Sequence, residues 1–272
     1  MNVLSLFDGM ACGRLALERA GVQVDSYYAS EVDKYAIRVA QANYPDIQQV
    51  GDITQLRWYD PYRLYGMPEI DLMIGGSPCQ GFSTSGSHLA FDDPRSKLFW
   101  EFIRLLDWVD PMWFLLENVR MKKEHENIIT KYMGVDPVEV NSSLVSGQTR
   151  KRLYWTNIPF TVPEDRGIML KDIIEDGVVD REKSHCLDAH YAKGGNAAYY
   201  FKKHRRQVVF KDTEMLPTSR YRMLTPLECE RLQTVPEGYT AHVSNSQRYK
   251  MLGNGWTVDV VAHIFKCIVE DK

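Results

Sequence analysis

The chain has 272 residues, 44% of them hydrophobic and 25% charged, the balance of a soluble globular protein that can bury a large core as one big domain plus a smaller lobe. With 33 basic and 36 acidic residues the formal net charge is −3, so any contact with nucleic acid must come from basic residues gathered on one face. The five cysteines are an odd number, widely scattered and without a CxxC pair, which argues against a disulfide framework or a zinc site and for a reducing compartment; MNVLSLFDGM lacks the basic start of a signal peptide, and no apolar run approaches a transmembrane helix.

Val3 to Leu6 reads as a strand, followed by the glycine-containing loop FDGMACG, Phe7 to Gly13. Arg14 to Ala20 then has helix-forming composition and stops at Gly21. Strand, glycine loop, helix is the opening of a nucleotide-type binding domain. The loop carries Asp8 and lacks the phosphate-binding glycines, which suits a cationic or zwitterionic ligand and argues against a nicotinamide oxidoreductase. A second strand, Val24 to Ser30, ends at Glu31, where such folds place an acid that binds ribose hydroxyls. The helix Lys34 to Asn43 stops near Pro45. A third strand, Ile47 to Val50, leads to Asp52, which can accept a hydrogen bond from an adenine amino group with Ile53 against the ring. Each acid alone reads as a loop residue or a helix cap. Three in register at successive strand ends describe an adenosyl pocket with a carboxylate near a charged, methionine-like tail.

Leu72 to Ile74 form a fourth strand, which breaks at Gly75-Gly76 and presents Ser77-Pro78-Cys79-Gln80. A side chain placed there sits at the carboxyl edge of the sheet, where open α/β folds keep their ligands. Cysteine is the strongest simple nucleophile among side chains, although a lone Cys79 equally fits a buried free thiol. Gly81 to Asp93 reads as a mobile lid. Asp93-Pro94 starts a helix with Leu98, Phe102, Leu105, Leu106 and Val109 on one face. Met112 to Leu116 is a fifth strand ending in Glu117-Asn118-Val119. Lys122 to Met133 suits a helix closed by Gly134. Val138 to Val145 reads as a strand, followed by Gln148, Arg150 and Arg152, and in a strand the two arginines share one face.

Pro159, Pro163 and Pro217 bracket the segment from Asn157 to about Ser219. Lys202, Lys203, His204, Arg205 and Arg206 form a basic run beside Tyr199, Tyr200 and Phe201. Basic and aromatic residues interleaved suit phosphate and base contacts, and the bland alternative is a solvated strand edge. The loop Tyr191 to Asn196 offers two glycines for close approach and Lys193 and Asn196 to read base edges. No metal site is expected, since no cysteine spacing supports His185, His190 or His204 as ligands. Thr225-Pro226-x-Glu228 is a helix start that turns Cys229 and Leu232 inward. Ser244 to Leu252 gives a helix ended by Gly253. Val258 to Val269 places Val261, Ile264, Phe265 and Ile268 on one face.

These motifs resemble those of the DNA (cytosine-5)-methyltransferases. FDGMACG, SEV, GDI, GGSPCQGFS, DDPRSKLFWEF, LLENV, QTRKRLYW, RYRMLTPLECERLQ and MLGNGWTVDVVAHIF stand in that family's order from Val3 to Phe265. Pro-Cys-Gln alone is weak; with Glu-Asn-Val and Gln-x-Arg-x-Arg in order it is highly specific. The compact form and Trp256 are similar to the catalytic domain of the animal de novo enzymes, whereas Asn254 is the residue common in bacterial members, so a bacterial or phage source is expected.

The resemblance implies an α/β fold, a Rossmann-like S-adenosylmethionine-dependent methyltransferase sheet with a small target-recognition lobe. Residues 1–156 and 244–272 would form the catalytic and cofactor-binding domain and 157–243 the lobe. It implies S-adenosylmethionine as cofactor, S-adenosylhomocysteine as product, and methyl transfer to carbon 5 of a cytosine flipped out of double-stranded DNA. Cys79 as thiolate would add to carbon 6 and make carbon 5 nucleophilic. Glu117 would hold ring nitrogen 3 and the amino group and supply a proton, a task that suits a desolvated acid. Arg152 would contact the ring carbonyl, Arg150 would help hold the base or Cys79, and Gln80 would close over the base. By the same match Phe7, Asp8, Gly9, Gly13, Glu31, Val32, Asp52, Ile53, Pro78, Leu98, Asn254 and Trp256 line the cofactor pocket, with Phe7 packed on the adenine. Trp256 stands where a small residue is frequent. Ser83, Lys193, Asn196, Lys202, Lys203, Arg205 and Arg206 would contact DNA. The expected enzyme is cytoplasmic, free of metal and membrane, and a monomer or weak homodimer. Its rivals are a transfer-RNA cytosine-5 methyltransferase of the same fold and a catalytically silent DNA-binding regulator. The presence of Cys79, Glu117 and Arg152 argues against the second.

Overall fold

The computed structural model describes residues 1–60, 63–64, 67–77, 97–194, 197–211, 213, 215 and 218–270. These fall into two compact units. The first comprises 1–140, 151–162 and 262–272, the second 141–150 and 163–261.

At the centre of the first unit lie strands buried almost throughout, Val3 to Leu6 and Leu72 to Gly75, as parallel strands covered by helices must be. Its chain runs β1 (Asn2–Leu6), α1 (Cys12–Ala20), β2 (Ser26–Ser30), α2 (Lys34–Asn43), β3 (Gln48–Gln49), the small hairpin β4 (Trp58–Asp60) and β5 (Arg63–Leu64), β6 (Leu72–Gly75), α3 (Lys97–Val109), β7 (Trp113–Val119), α4 (Lys123–Met133), β8 (Val138–Asn141) and β9 (Lys151–Thr156). The seven-stranded sheet has the order β3-β2-β1-β6-β7-β9-β8. β1 pairs in parallel with both β2 and β6, β6 pairs in parallel with β7, and β9 runs antiparallel to β7. The chain starts mid-sheet, walks out to β3, and returns to β6 on the other side of β1. That reversal makes the carboxyl ends of β1 and β6 the topological switch point, the usual ligand position of open α/β sheets.

One core of Leu4, Leu6, Met73, Phe99, Phe102, Leu105, Leu116, Ile129 and Trp155 fills the space between sheet and helices. On α3 the buried set is Phe99, Phe102, Ile103 and Leu105, while Leu98, Leu106 and Val109 are only partly covered. Gly75 ends β6 at a close approach, for a Cβ there would lie 2.8 Å from the Leu6 carbonyl oxygen.

Several boundaries differ from the sequence reading. α1 begins at Cys12, so Gly13 lies in its first turn instead of the preceding loop. β8 stops at Asn141, whose side chain accepts the Ser143 amide and caps a 3-10 turn, Ser142–Leu144; an Asn that bonds its own backbone two residues on competes with strand pairing. Asp93-Pro94 and the loop Gly81 to Asp93 lie outside the described residues.

The second unit holds α5 (Ala197–Lys203), the antiparallel pair β10 (Val208–Phe210) and β11 (Tyr221–Met223), α6 (Pro226–Leu232), α7 (Asn245–Asn254) and the start of α8 (Val258–Glu270). A small core of Tyr200, Val208 and Phe210 packs with Phe201 and Tyr221. α6 has the expected capping box, Thr225 accepting the Glu228 amide while the Glu228 carboxylate accepts the Thr225 amide. Cys229 and Leu232 are buried beneath it. Arg222 bridges Glu228 and Asp176, and Arg231 bridges Glu237. Among the described residues Cys12 and Cys229 are buried. No group of three or more His, Cys, Asp or Glu could hold a metal ion among them, and no described helix is long and apolar enough to cross a membrane.

Candidate active site

The loop after β1 turns through left-handed backbone at three alternate residues, Phe7 (φ 56°), Gly9 (φ 62°) and Ala11 (φ 65°). Glycine adopts that region freely, but a bulky Phe there is an outlier of the kind concentrated at ligand sites. The loop is held by Glu31 from the end of β2. One oxygen of Glu31 accepts the Gly9 amide at 2.8 Å, the other the amides of Val32 at 2.7 Å and Asp33 at 2.8 Å. Beside it Val32 is 71% exposed.

Asp8 is only 8% exposed. Its Oδ1 accepts the Tyr27 hydroxyl at 2.7 Å, whereas its buried Oδ2 has no hydrogen-bond partner. Burial pushes its pKa up to about 6, against hydrogen bonds from Ser5 and Tyr27 that pull the other way. An acceptor buried without a donor is costly unless a ligand supplies one. At the next strand end Ser30 donates to the Gly51 carbonyl at 2.7 Å. Asp52 caps the turn Ile53–Gln55 by accepting the Thr54 amide at 2.9 Å, and Ile53 is buried in the core. Leu98 is partly buried against the same core.

Glu117 and Arg152 come together by register. Val119 pairs with Arg152 and Glu117 with Tyr154, so Glu117 and Arg152 are diagonal neighbours on one face of the sheet. Arg152 Nε stands 2.8 Å from Glu117 Oε1, and both side chains are largely buried. Between them in sequence, Asn118 faces the other way. Its side-chain nitrogen donates to the Ser77 hydroxyl at 3.1 Å, and its oxygen accepts the Val119 amide at 2.8 Å. Ser77 is the residue that leads into Pro78-Cys79.

In the second unit Arg150 is buried with its guanidinium directed at carbonyls, those of Leu187 at 3.0 Å, Gly253 at 3.3 Å and Gly255 at 2.8 Å. Gln148 donates to the Leu232 carbonyl and to Gln233, and Gln233 donates to the Leu252 carbonyl at 2.6 Å and accepts from Thr257 at 2.8 Å. Gly253 is packed so tightly that a Cβ would lie 2.2 Å from the Asp188 carbonyl carbon.

The family model for C-5 cytosine-specific DNA methylases matches residues 1–135 and 138–270. The chain belongs to that family.

The methylase is 28% identical over 318 residues to the type II methyltransferase M1.ScrFI of Lactococcus lactis subsp. cremoris, covering 99% of this chain and 78% of the relative. It is 26% identical to M.HhaI of Haemophilus parahaemolyticus, covering 97% and 93%. The structure of the Entamoeba histolytica methyltransferase EhMeth superposes with a TM-score of 0.75 at 16% identity, covering 100% of this chain and 98% of that one. The fold is thus the Rossmann-like sheet of the S-adenosylmethionine-dependent methyltransferases, and the family's reaction is methylation of cytosine at carbon 5.

The structure brings together Phe7, Asp8, Gly9 and Glu31 at one strand end, and Glu117 with Arg152 at another. Pro78, Cys79, Gln80, Ser83 and Asn196 lie outside the described residues. Arg150 and Arg152, expected on one strand face, separate because β9 begins only at Lys151; Arg150 instead ties backbone within the second unit. α7 runs on through Gly253 to Asn254, with Gly255 as its cap, which leaves Asn254 exposed and Trp256 half-buried. The basic run is not an edge strand: Lys202 and Lys203 are exposed at the end of α5, Arg205 is exposed, and Arg206 is largely covered. Lys193 is exposed on the 3-10 turn Tyr191–Lys193. Asn118, Gln148 and Gln233 were missed as functional candidates. Asn118 and Gln148 stand inside recognised motifs, and a buried amide in such a motif is itself a sign of a hydrogen-bonded frame.

Proposed function

We propose that this methylase transfers a methyl group from S-adenosylmethionine to carbon 5 of a cytosine flipped out of duplex DNA, through a covalent bond to Cys79. The observation that carries the reading is the Glu117–Arg152 ion pair at 2.8 Å, next in sequence to Asn118, which donates to Ser77, two residues before Cys79 in the chain. Bound S-adenosylmethionine would supply an electrophilic methyl group on a sulfonium. Phe7, Glu31, Val32, Asp52 and Ile53 would hold its adenosine. The orphaned Oδ2 of Asp8 fits an ammonium donor, which supports a zwitterionic amino-acid tail.

On the substrate, the Cys79 thiolate adds to carbon 6 and shifts electron density to carbon 5. Glu117 meets ring nitrogen 3 and the amino group while Arg152 meets the ring carbonyl, so the pair seen here opens to admit the base. After transfer, loss of the carbon 5 proton expels the thiolate and restores the aromatic ring. Arg150 acts by positioning, since its donors already hold carbonyls. Residues 157–243 read the target. The bacterial type II relatives support a restriction–modification setting in a bacterial cytoplasm.

The test uses duplex DNA carrying 5-fluorocytosine at the target, with transfer RNA as comparison. Parent protein should form a denaturant-resistant adduct with the duplex, and Cys79→Ser should form none while binding cofactor as before. An adduct in the Ser variant would refute Cys79 as nucleophile. Methylation of transfer RNA in preference to duplex would overturn the substrate.

A further inference from the structure

Arg205 and Arg206 are neighbours in the basic run, yet their surroundings differ. The Arg205 side chain is 48% exposed and is ion-paired to Asp188 at 3.2 Å. That of Arg206 is 14% exposed. Its Nη1 donates to the Gly194 carbonyl at 2.8 Å, and its Nε lies 3.5 Å from Asp188 Oδ2, an ion-pair distance longer than a hydrogen bond. The chain reaches this position through left-handed residues at His204 (φ 49°) and Arg206 (φ 60°).

The segment that Arg206 grips is the turn Tyr191–Lys193 with its cap Gly194. Its beginning is fixed separately. Asp188 accepts the His190 amide at 2.8 Å through Oδ1, its carbonyl accepts the Tyr191 amide at 3.0 Å, and its backbone sits on Gly253 without room for a Cβ. The Tyr191 hydroxyl is buried, donates to the Gln207 carbonyl and accepts the Leu224 amide at 2.9 Å. The end of the turn is held by Arg206 on Gly194. Lys193, the residue before Gly194, is exposed between these two anchorages. A phosphate contact needs an exposed cation and no fixed frame. A base contact needs a side chain aimed to within a fraction of an ångström. Arg205 answers the first description. Arg206 answers neither, but it supplies the frame for Lys193.

We propose that Arg206 is a specificity-determining positioning residue, which holds Gly194 so that Lys193 meets base edges, while its neighbour Arg205 serves the phosphates. This rests on the reading of the segment as the target-recognition region of a duplex-DNA methylase.

The experiment compares the parent with Arg206→Ala, Arg206→Lys, Asp188→Asn and Arg205→Ala. Each is profiled for methylation on a randomised duplex library, and its duplex affinity is measured across salt concentrations. Arg206→Ala should lower the preference for the parent site over its nearest competitor by about tenfold, the value of one lost base contact, with the salt slope unchanged. Arg206→Lys, which keeps one donor for Gly194, should recover part of that preference. Asp188→Asn should lower it in the same sense. Arg205→Ala should leave the profile intact and flatten the salt slope by roughly 0.9. Thermal unfolding checks that each variant is folded. If Arg206→Ala does not fold, Arg206→Lys and Asp188→Asn decide, and a parent-like profile in both overturns the inference. So does an Arg206→Ala variant with the parent profile and a flattened slope. A parent protein that leaves the whole library unmethylated would instead refute the duplex-DNA reading on which the inference stands.

Discussion

Asp8, proposed to meet the ammonium of the cofactor, works against the stability of the fold that carries it. Burial raises its pKa from 3.8 to about 6. Between those values the folded chain binds more protons at this carboxyl than the unfolded chain does. The contribution of Asp8 to stability therefore falls as pH rises from about 4 to about 6 and stays low above that. Asp8→Asn removes the buried charge and keeps an acceptor for Tyr27. We expect the variant to be more stable than the parent at about pH 8, by on the order of 1–3 kcal/mol, and equal to it below about pH 4, where both side chains are neutral. It should also bind S-adenosylmethionine more weakly, because the orphaned oxygen is lost. Urea unfolding at both pH values and calorimetry with the cofactor measure the two effects. A variant less stable than the parent at about pH 8 would mean that the hydrogen bonds to the carboxylate outweigh its desolvation. Glu117 invites a simpler substitution. Glu117→Gln keeps the shape but loses the Arg152 ion pair and the proton. Methyl transfer should fall by about 10²- to 10⁴-fold with cofactor affinity intact, and single-turnover kinetics would separate the two.

Among the elements, Gly253 is the test of how a glycine should be read. In sequence it looked like a helix stop. The structure makes it part of α7 and places the cap at Gly255. What position 253 requires is the absence of a Cβ, because Asp188 backbone lies where one would go. Gly253→Ala should therefore destabilise the protein by roughly 3 kcal/mol, the upper part of the range for overpacking, as read by urea unfolding. Parent-like stability would show that the turn can move aside. The helices whose ends are written in local chemistry are legible in sequence: α1 ends on left-handed Gly21, α4 on left-handed Gly134, and α6 opens with Thr225, Pro226 and Glu228. Local chemistry explains these because each signal bonds its own backbone within a few residues. The misread ends depend on distant partners. β8 yields to a turn capped by Asn141, which also accepts the Arg150 amide at 3.0 Å, and Arg150 leaves the strand face for carbonyls of residues 187, 253 and 255. No window of sequence around position 150 contains those carbonyls.

At the scale of the whole chain, strand, glycine loop and helix at the start read as a nucleotide-type α/β domain, and acids after successive strands mark the carboxyl edge of its sheet. The order β3-β2-β1-β6-β7-β9-β8 was not written locally, since it depends on which side of β1 the returning strand takes. Charge is distributed with the same indifference to totals. A net charge of −3 gives the surface as a whole no attraction for DNA, so binding must come from local clusters. The described cluster is Lys202 and Lys203 on the last turn of α5 with Arg205 just beyond, all exposed. Of these, Arg205 already has Asp188 as counter-ion, which leaves the two lysines as the stronger source of phosphate contacts. Each phosphate neutralised releases counterions and adds about 0.9 to the slope of log affinity against log salt. Lys202→Ala with Lys203→Ala should reduce that slope by up to roughly 1.8, weaken binding to all duplexes alike, and leave the methylated site unchanged. Binding titrations at several salt concentrations, on a target duplex and an unrelated one, measure both effects. An unchanged slope would move the phosphate contacts to another face of the protein. A loss confined to the target duplex would make the lysines readers of sequence.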